Sequence, residues 1–213
     1  MAMTGFNPDQ VTSSMNNVEK AYSDLIKALG TDVQSNFINA MANAWACNQA
    51  QSFFTDNFKP AIDELLNSAF NTFKSVIESM NSAASGWAQQ TESSWSTKSF
   101  GGELRKVDVS SIKENLNGVR GVDESQANNI ASKLASIAQA AISALSAAQS
   151  AVNNCGFVGR DQAQTLISSL GTIKTNISNA TEQLTNATKT AVNNTVEAYG
   201  TLATNVESAF TAQ

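Results

Sequence analysis

Histidine is missing altogether from these 213 residues, and there are only two cysteines, Cys47 and Cys155. Without an imidazole, neither a Cys/His zinc site nor a Cys–His catalytic pair can be assembled. Two cysteines are also too few for a disulfide-built scaffold. The prolines number two, Pro8 and Pro60, so little interrupts long helices and a loop-rich all-β fold is disfavoured. Charge is scarce as well: 15% of residues are charged, the net charge is −5, and no basic cluster stands out. The electrostatic footprint of a nucleic-acid binder is therefore missing, and adsorption to anionic lipid is disfavoured. No apolar run approaches the roughly 18 residues of a membrane span. The N-terminal stretch MAMTGFNPDQ lacks the charged-then-apolar layout of a secretory signal, so export is expected to proceed without a classical signal peptide.

What is present is small and aliphatic. The hydrophobic share is 42% with 7% aromatic, which suits thin helix-on-helix packing. Polarity comes mainly from Asn, Ser, Thr and Gln, a weakly charged surface expected of an extracellular or self-associating protein. After the start signal Asn7-Pro8, apolar residues recur as Val11, Met15, Val18, Tyr22, Leu25 and Leu29 in steps of four and three. The stripe continues in steps of four through Val33, Phe37, Met41 and Trp45. A second seam runs Ile62, Leu66, Ala69, Phe73, Val76, Met80, Ala83 and Trp87, which places Trp87 in the core. Two seams joined by a short connection can bury each other, so residues 1–97 are expected to form a long helical hairpin.

Residues 98–122 hold a Gly-Gly pair and most of the close-spaced charge, and are expected to be a linker with a short helix around Ser111–Asn117. Asp123-Glu124-Ser125 then opens a third helix with its acids at the N-terminal end. Its seam is Ile130, Leu134, Ile137, Ala141, Leu145 and Val152; a fourth runs from Leu166 and Leu170 through Ala180, Leu184 and Ala187 to Tyr199, Leu202 and Val206. Residues 123–213 thus read as a second hairpin. At an offset of 112 the halves superpose, with Val18 on Ile130, Trp45 on Phe157 and Phe58 on Leu170. Because 112 is a multiple of seven, heptad phase alone would match the seams; the shared position of the break, with an aromatic at each, is the evidence for duplication. The predicted fold is all-α: two tandem long hairpins packed as an elongated four-helix bundle.

Each break carries an aromatic-x-small triplet, Trp45-Ala46-Cys47 and Phe157-Val158-Gly159. A large ring at the end of a helix covers the thin tip of a hairpin, and a small residue two positions on lets the chain reverse. Such a tip between two heptad-bearing arms, in a repeat of roughly 100 residues, resembles the WXG100 (ESAT-6-like) family. The resemblance covers residues 8–97 and 123–210. It implies helix–turn–helix hairpins that pair antiparallel into elongated bundles and are secreted by type VII systems, so one chain would contain both members of the usual dimer. Cys47 stands where the family has glycine, and Phe157 where it has tryptophan. The family's Tyr-x-x-x-Asp/Glu export signal has no counterpart, since Tyr199 is followed four residues on by Ala203 and Tyr22 by Ile26.

These features lead to a non-enzymatic secreted protein acting through protein contacts, with export machinery, a co-secreted protein or itself as partner. No catalytic residue, cofactor or metal ligand is assigned. Trp95 lies off the strict register and is the candidate for a partner contact, whereas Trp45 and Phe157 are expected to plug the core. Asp63, Glu64 and Glu78 read as a solvated helix face. An intramolecular bundle makes the chain a monomer without a Cys47–Cys155 bridge; hairpins pairing between chains make it a swapped homodimer. Two other readings stand beside this one. Segment 130–158, with Lys133 its only charge, permits a membrane-active, pore-forming component, though without a stable span. The Asn/Ser/Thr-rich surface also permits a filament or phage structural subunit.

Overall fold

The computed structural model describes residues 5–158 and 161–211. The first arm is α1 (Pro8–Ile26), a π-helical segment (Lys27–Ile38) and one closing turn, α2 (Asn39–Met41). A short strand pair piece, β1 (Gly5–Phe6), precedes it, and β2 (Trp45–Ala46) follows at the first hairpin tip. The return arm is α3 (Asn48–Phe53), a second π segment (Phe54–Phe58) and α4 (Lys59–Gln90). Beyond the connector come β3 (Gly121–Val122), α5 (Glu124–Asn153), β4 (Phe157–Val158) and α6 (Asp161–Thr211). The expected all-α fold is what forms, with strands reduced to two-residue clasps.

The helices start where the caps dictate. Asn7 Oδ1 accepts from the Gln10 N–H at 3.1 Å, with Pro8 opening α1; Asp123 Oδ1 accepts from the Gln126 N–H at 2.9 Å to open α5. α5 packs against α6 on one side and against the first arm on the other, while α4 packs on α1 and α6. The four long helices therefore form a ring in the order α1, α5, α6, α4. Two antiparallel clasps fix the directions: β1 pairs with β4 (Phe6 with Phe157) and β2 pairs with β3 (Trp45 with Val122). The start of α1 thus meets the end of α5, and each hairpin tip lies at the opposite end of the bundle from the other.

Both π segments fall where the buried seam advances by four. In the first arm Leu29, Val33, Phe37 and Met41 are fully buried, and in the return arm Ala50, Phe54, Phe58, Ile62 and Leu66. On an α-helix such a seam would rotate away from its partner by about 40° at every step. The wider π turn, closed by i→i+5 hydrogen bonds, keeps it facing inward. The two wide stretches meet through Phe37, which stacks on Phe58 at 4.7 Å and tilts onto Phe54 at 5.9 Å. The first of them also matches its arm to α5. The first arm holds 34 residues against 30 in α5, and the π turns pack those extra residues into the same length. The caps Asn7 and Asp123 are consequently 116 positions apart while the tips Trp45 and Phe157 are 112 apart, so the single sequence offset holds at the tips and not at the helix starts.

The second and fourth seams depart from the expectation, and the last two positions of the fourth, Leu202 and Val206, are exposed because α6 runs past the end of its partners. α4 buries Ala84 and Ala88 at its end, leaving Trp87 half-exposed, because the helical period of 3.6 drifts off a strict heptad over 32 residues. α6 buries Thr181, Thr188 and Thr195 rather than Ala180 and Ala187. Each threonine hydroxyl donates to the carbonyl four residues back, at 2.6, 2.6 and 2.9 Å, so it enters the core without an unmet polar group. Phe37→Ala should cost about 3–5 kcal/mol in urea denaturation, since it empties the joint between the π segments; a loss below about 1 kcal/mol would mean that this joint does not carry the core.

Candidate functional site

At the first tip Trp45 is fully buried, edge-on or tilted against Phe53 (5.8 Å) and Phe54 (6.2 Å), and its Nε1 has no hydrogen-bond partner. A buried indole N–H left unpaired costs about 1–3 kcal/mol, and here the ring's packing offsets it. The tip is closed by the Asp123 N–H donating to Ala44 O at 2.7 Å, beside the β2–β3 clasp. Ala46 and Cys47 are buried too, and Cys47 has extended backbone (φ −168°) that any residue adopts, so no glycine is required there. The Trp45-Ala46-Cys47 triplet is thus turned into the core.

At the second tip the backbone of Phe157 and Val158 pairs with Phe6 and Gly5. Gly159 and the side chains of Phe157 and Val158 lie outside the described residues. The glycine that this tip demands is Gly156, with φ +75°; a Cβ there would sit 2.9 Å from Gln10 Cβ and 3.1 Å from Asn7 O. Its carbonyl accepts from the Asn7 N–H at 3.2 Å, and Asn154 O accepts from Gln10 Nε2 and Ser14 Oγ. Cys47 and Cys155 are both buried and no disulfide joins them. With α5 between them they stand about 45 Å apart at 1.5 Å per helical residue. Trp95 is half-buried, edge-on to Phe6 at 5.8 Å with its Nε1 buried, and so rests on the α1 end of the bundle.

The site that sequence reasoning missed lies between the tips. Residues 98–112 run extended along α1 and α4, from the Trp95 end back to the first tip, as a strap with no helix. In place of the short helix expected at Ser111–Asn117 there is a tight two-residue hairpin turn. Asn117 and Gly118 both have positive φ (52° and 84°), and Leu116 and Val119 exchange hydrogen bonds of 2.8 and 2.9 Å, the geometry that an Asn-Gly pair favours.

Side chains of the helices hold the strap by its backbone. The Asn81 amide bonds both the carbonyl and the N–H of Lys98, at 2.5 and 3.0 Å. The Gln34 amide does the same for Asp108, at 2.7 and 2.8 Å. The Lys59–Asp63 ion pair (2.7 Å) closes on Val107, Lys59 Nζ donating to its carbonyl at 2.6 Å and Asp63 accepting its N–H at 2.9 Å. Glu19 accepts from the Gly101 N–H and pairs with Lys98 at 2.6 Å, and Tyr22 Oη donates to Glu103 O at 2.7 Å. Phe100 inserts against Tyr22 (5.0 Å) and Phe70 (5.7 Å), and Val107 and Ile112 are buried. Asp63 is therefore a clamp rather than part of a solvated face. The i,i+4 spacing of Lys59 and Asp63 is the one sequence signal for it, and it is common on helix surfaces.

Comparison with family models, with curated proteins and with solved structures gave no match. Burial pushes the Tyr22 phenol from its ordinary value of 10.0 up to about 12, against the opposing pull of the Arg105 guanidinium. Because the folded-state value is the higher one, this contribution to stability is complete below pH 10 and is lost as the pH rises through about 12. The difference between wild-type and Tyr22→Phe absorbance titrations should show a phenol ionising near about 12; ionisation near 10 would mean that the Tyr22–Glu103 contact is not closed in solution.

Proposed function

We propose that this is a non-enzymatic, secreted helical protein that acts through protein–protein contacts and resembles a WXG100 dimer fused into one chain, exported by a type VII system. The observation that carries the reading is the antiparallel packing of the first arm on α5, with a hairpin tip at each end of the bundle. An aromatic closes the first tip from within, as the Trp45-Ala46-Cys47 triplet leads one to expect. The halves answer each other through clasps of one kind, each tip pairing with the two residues that lead into the other half's first helix. Partners on this reading are the export machinery, a co-secreted protein or a second copy. The α6 seam supplies an apolar stripe for such contacts, since Leu202 and Val206 are 57% and 53% exposed.

A membrane-active function is the second reading, favoured by α5 alone. That helix is long and apolar enough, by length and composition, to cross a membrane. In the bundle its apolar face is taken up by α1 and α6.

Expression in a bacterium with a type VII system, beside the same strain lacking the export ATPase, decides between them. The tagged chain should reach the medium only in the first strain, and the purified protein should release no dye from liposomes. Equal retention in both strains would end the export reading, and leakage would favour the membrane-active one.

A further inference from the structure

Bases outnumber acids in the connector. Residues 98–122 carry five bases and three acids, a charge of +2, which leaves −7 on the rest of a chain of net charge −5; the strap proper, 98–112, carries three bases (Lys98, Arg105 and Lys106) and two acids, a charge of +1. The groove that receives it offers Glu19, which pairs with Lys98, and Asp63, whose charge Lys59 already balances. Five residues of the strap are bonded through their peptide groups: Lys98, Gly101, Glu103, Val107 and Asp108. Over 98–108 no backbone of the helices takes part among the described residues, so side chains do what a sheet edge does for an added strand. The side-chain requirements are few. Phe100 fills the space between Tyr22 and Phe70, Val107 is buried, and residue 102 must lack a Cβ, which would fall 2.5 Å from Tyr22 Cε1 and closer still to Phe100 Cζ. Such contacts depend on the segment presented and not on its covalent attachment to this groove. The turn that launches the strap is strained, with Glu92 at φ +52°.

We propose that the groove between α1 and α4 is a docking site for an extended basic peptide segment, filled in cis by residues 98–112 and filled in trans by the same segment of a second copy. The cis and trans forms share every clamp. The closed form dominates in a dilute chain because tethering gives the strap an effective concentration in the millimolar range. Freeing the groove, or raising the protein concentration, favours the exchange. This inference does not rest on the export reading: it concerns only the groove and would stand in a protein that never leaves the cell.

The full chain carrying Gly102→Val has an intact groove and a strap that cannot seat. Its amides at 98–108 should lose hydrogen-exchange protection while helical circular dichroism is kept. It should then bind a fluorescent synthetic peptide of residues 96–112 at least about tenfold more tightly than the wild-type chain, whose own strap competes. A peptide with the same Gly102→Val change should not bind, and added salt should weaken binding by screening the Lys98–Glu19 pair. Mixed with wild-type chain, the variant should give a species of twice the monomer mass. An unprotected strap with no peptide binding would overturn the proposal. So would unchanged strap protection in both Gly102→Val and Asp63→Ala chains, the second of which removes the acceptor of the Val107 N–H. Peptide binding without any mixed species would overturn the second copy as occupant and point to a segment of another protein.

Discussion

The first arm lying antiparallel on α5 is the contact on which the rest depends. Helices that run the full length of a bundle side by side must match in length, or one end is left uncovered. Here a 34-residue arm faces a 30-residue helix, and the π segment Lys27–Ile38 within that arm removes the mismatch by widening the turn. Once the lengths agree, residues 5–6 reach the second tip and residues 121–122 reach the first, and the two-residue clasps close. The tips are thereby held at opposite ends, and Cys47 and Cys155 with them. The same geometry sets the connector's task. It must return from the end of α4 to the far end of the bundle before α5 can begin, and it does so as a strap in the groove rather than as a loose tether.

Much of this fold was legible because each long helix must bury a stripe, and stripes repeat in sequence. Val11 to Leu29, Ile62 to Met80 and Ile130 to Val152 lie in the core as the periodicity required, apart from small shifts of register at the ends. The switch from alternating steps to straight fours at Leu29–Trp45 was also visible in the sequence, and its physical meaning is the wider helix. Other features had no apolar signature. Thr181, Thr188 and Thr195 are core residues only because the helix's own carbonyls satisfy them. The strap is bound through peptide groups, which every residue has, by Asn81, Gln34, Lys59 and Asp63, residue types that normally mark a solvated face. Gly101-Gly102 reads as a flexible linker, yet Gly102 is there because two aromatic rings close over it.

The distribution of hydrophobic and charged groups fits a protein that works by contact. Its core is assembled from thin helical layers of small residues, with the rings of Phe37, Trp45, Phe54 and Phe58 gathered near the first tip and those of Tyr22 and Phe73 farther along the bundle. The surface carries little charge, and the connector 98–122 that joins the halves has a net positive charge on an acidic frame. The same segment therefore fastens the two hairpins together and presents exposed Leu104, Leu116 and Val119 outward.

The antiparallel, single-chain bundle is tested most directly by a spin–spin distance between its two ends. Asn43→Cys and Asn153→Cys, both at exposed positions, would be labelled in a chain carrying Cys47→Ala and Cys155→Ala. The account predicts about 45 Å, the length of α5, unchanged when labelled chains are diluted with unlabelled ones. A separation of about 20 Å or less, as tips side by side on helices about 10 Å apart would give, would contradict it. So would a signal that disappears on dilution, because the two hairpins would then belong to different chains.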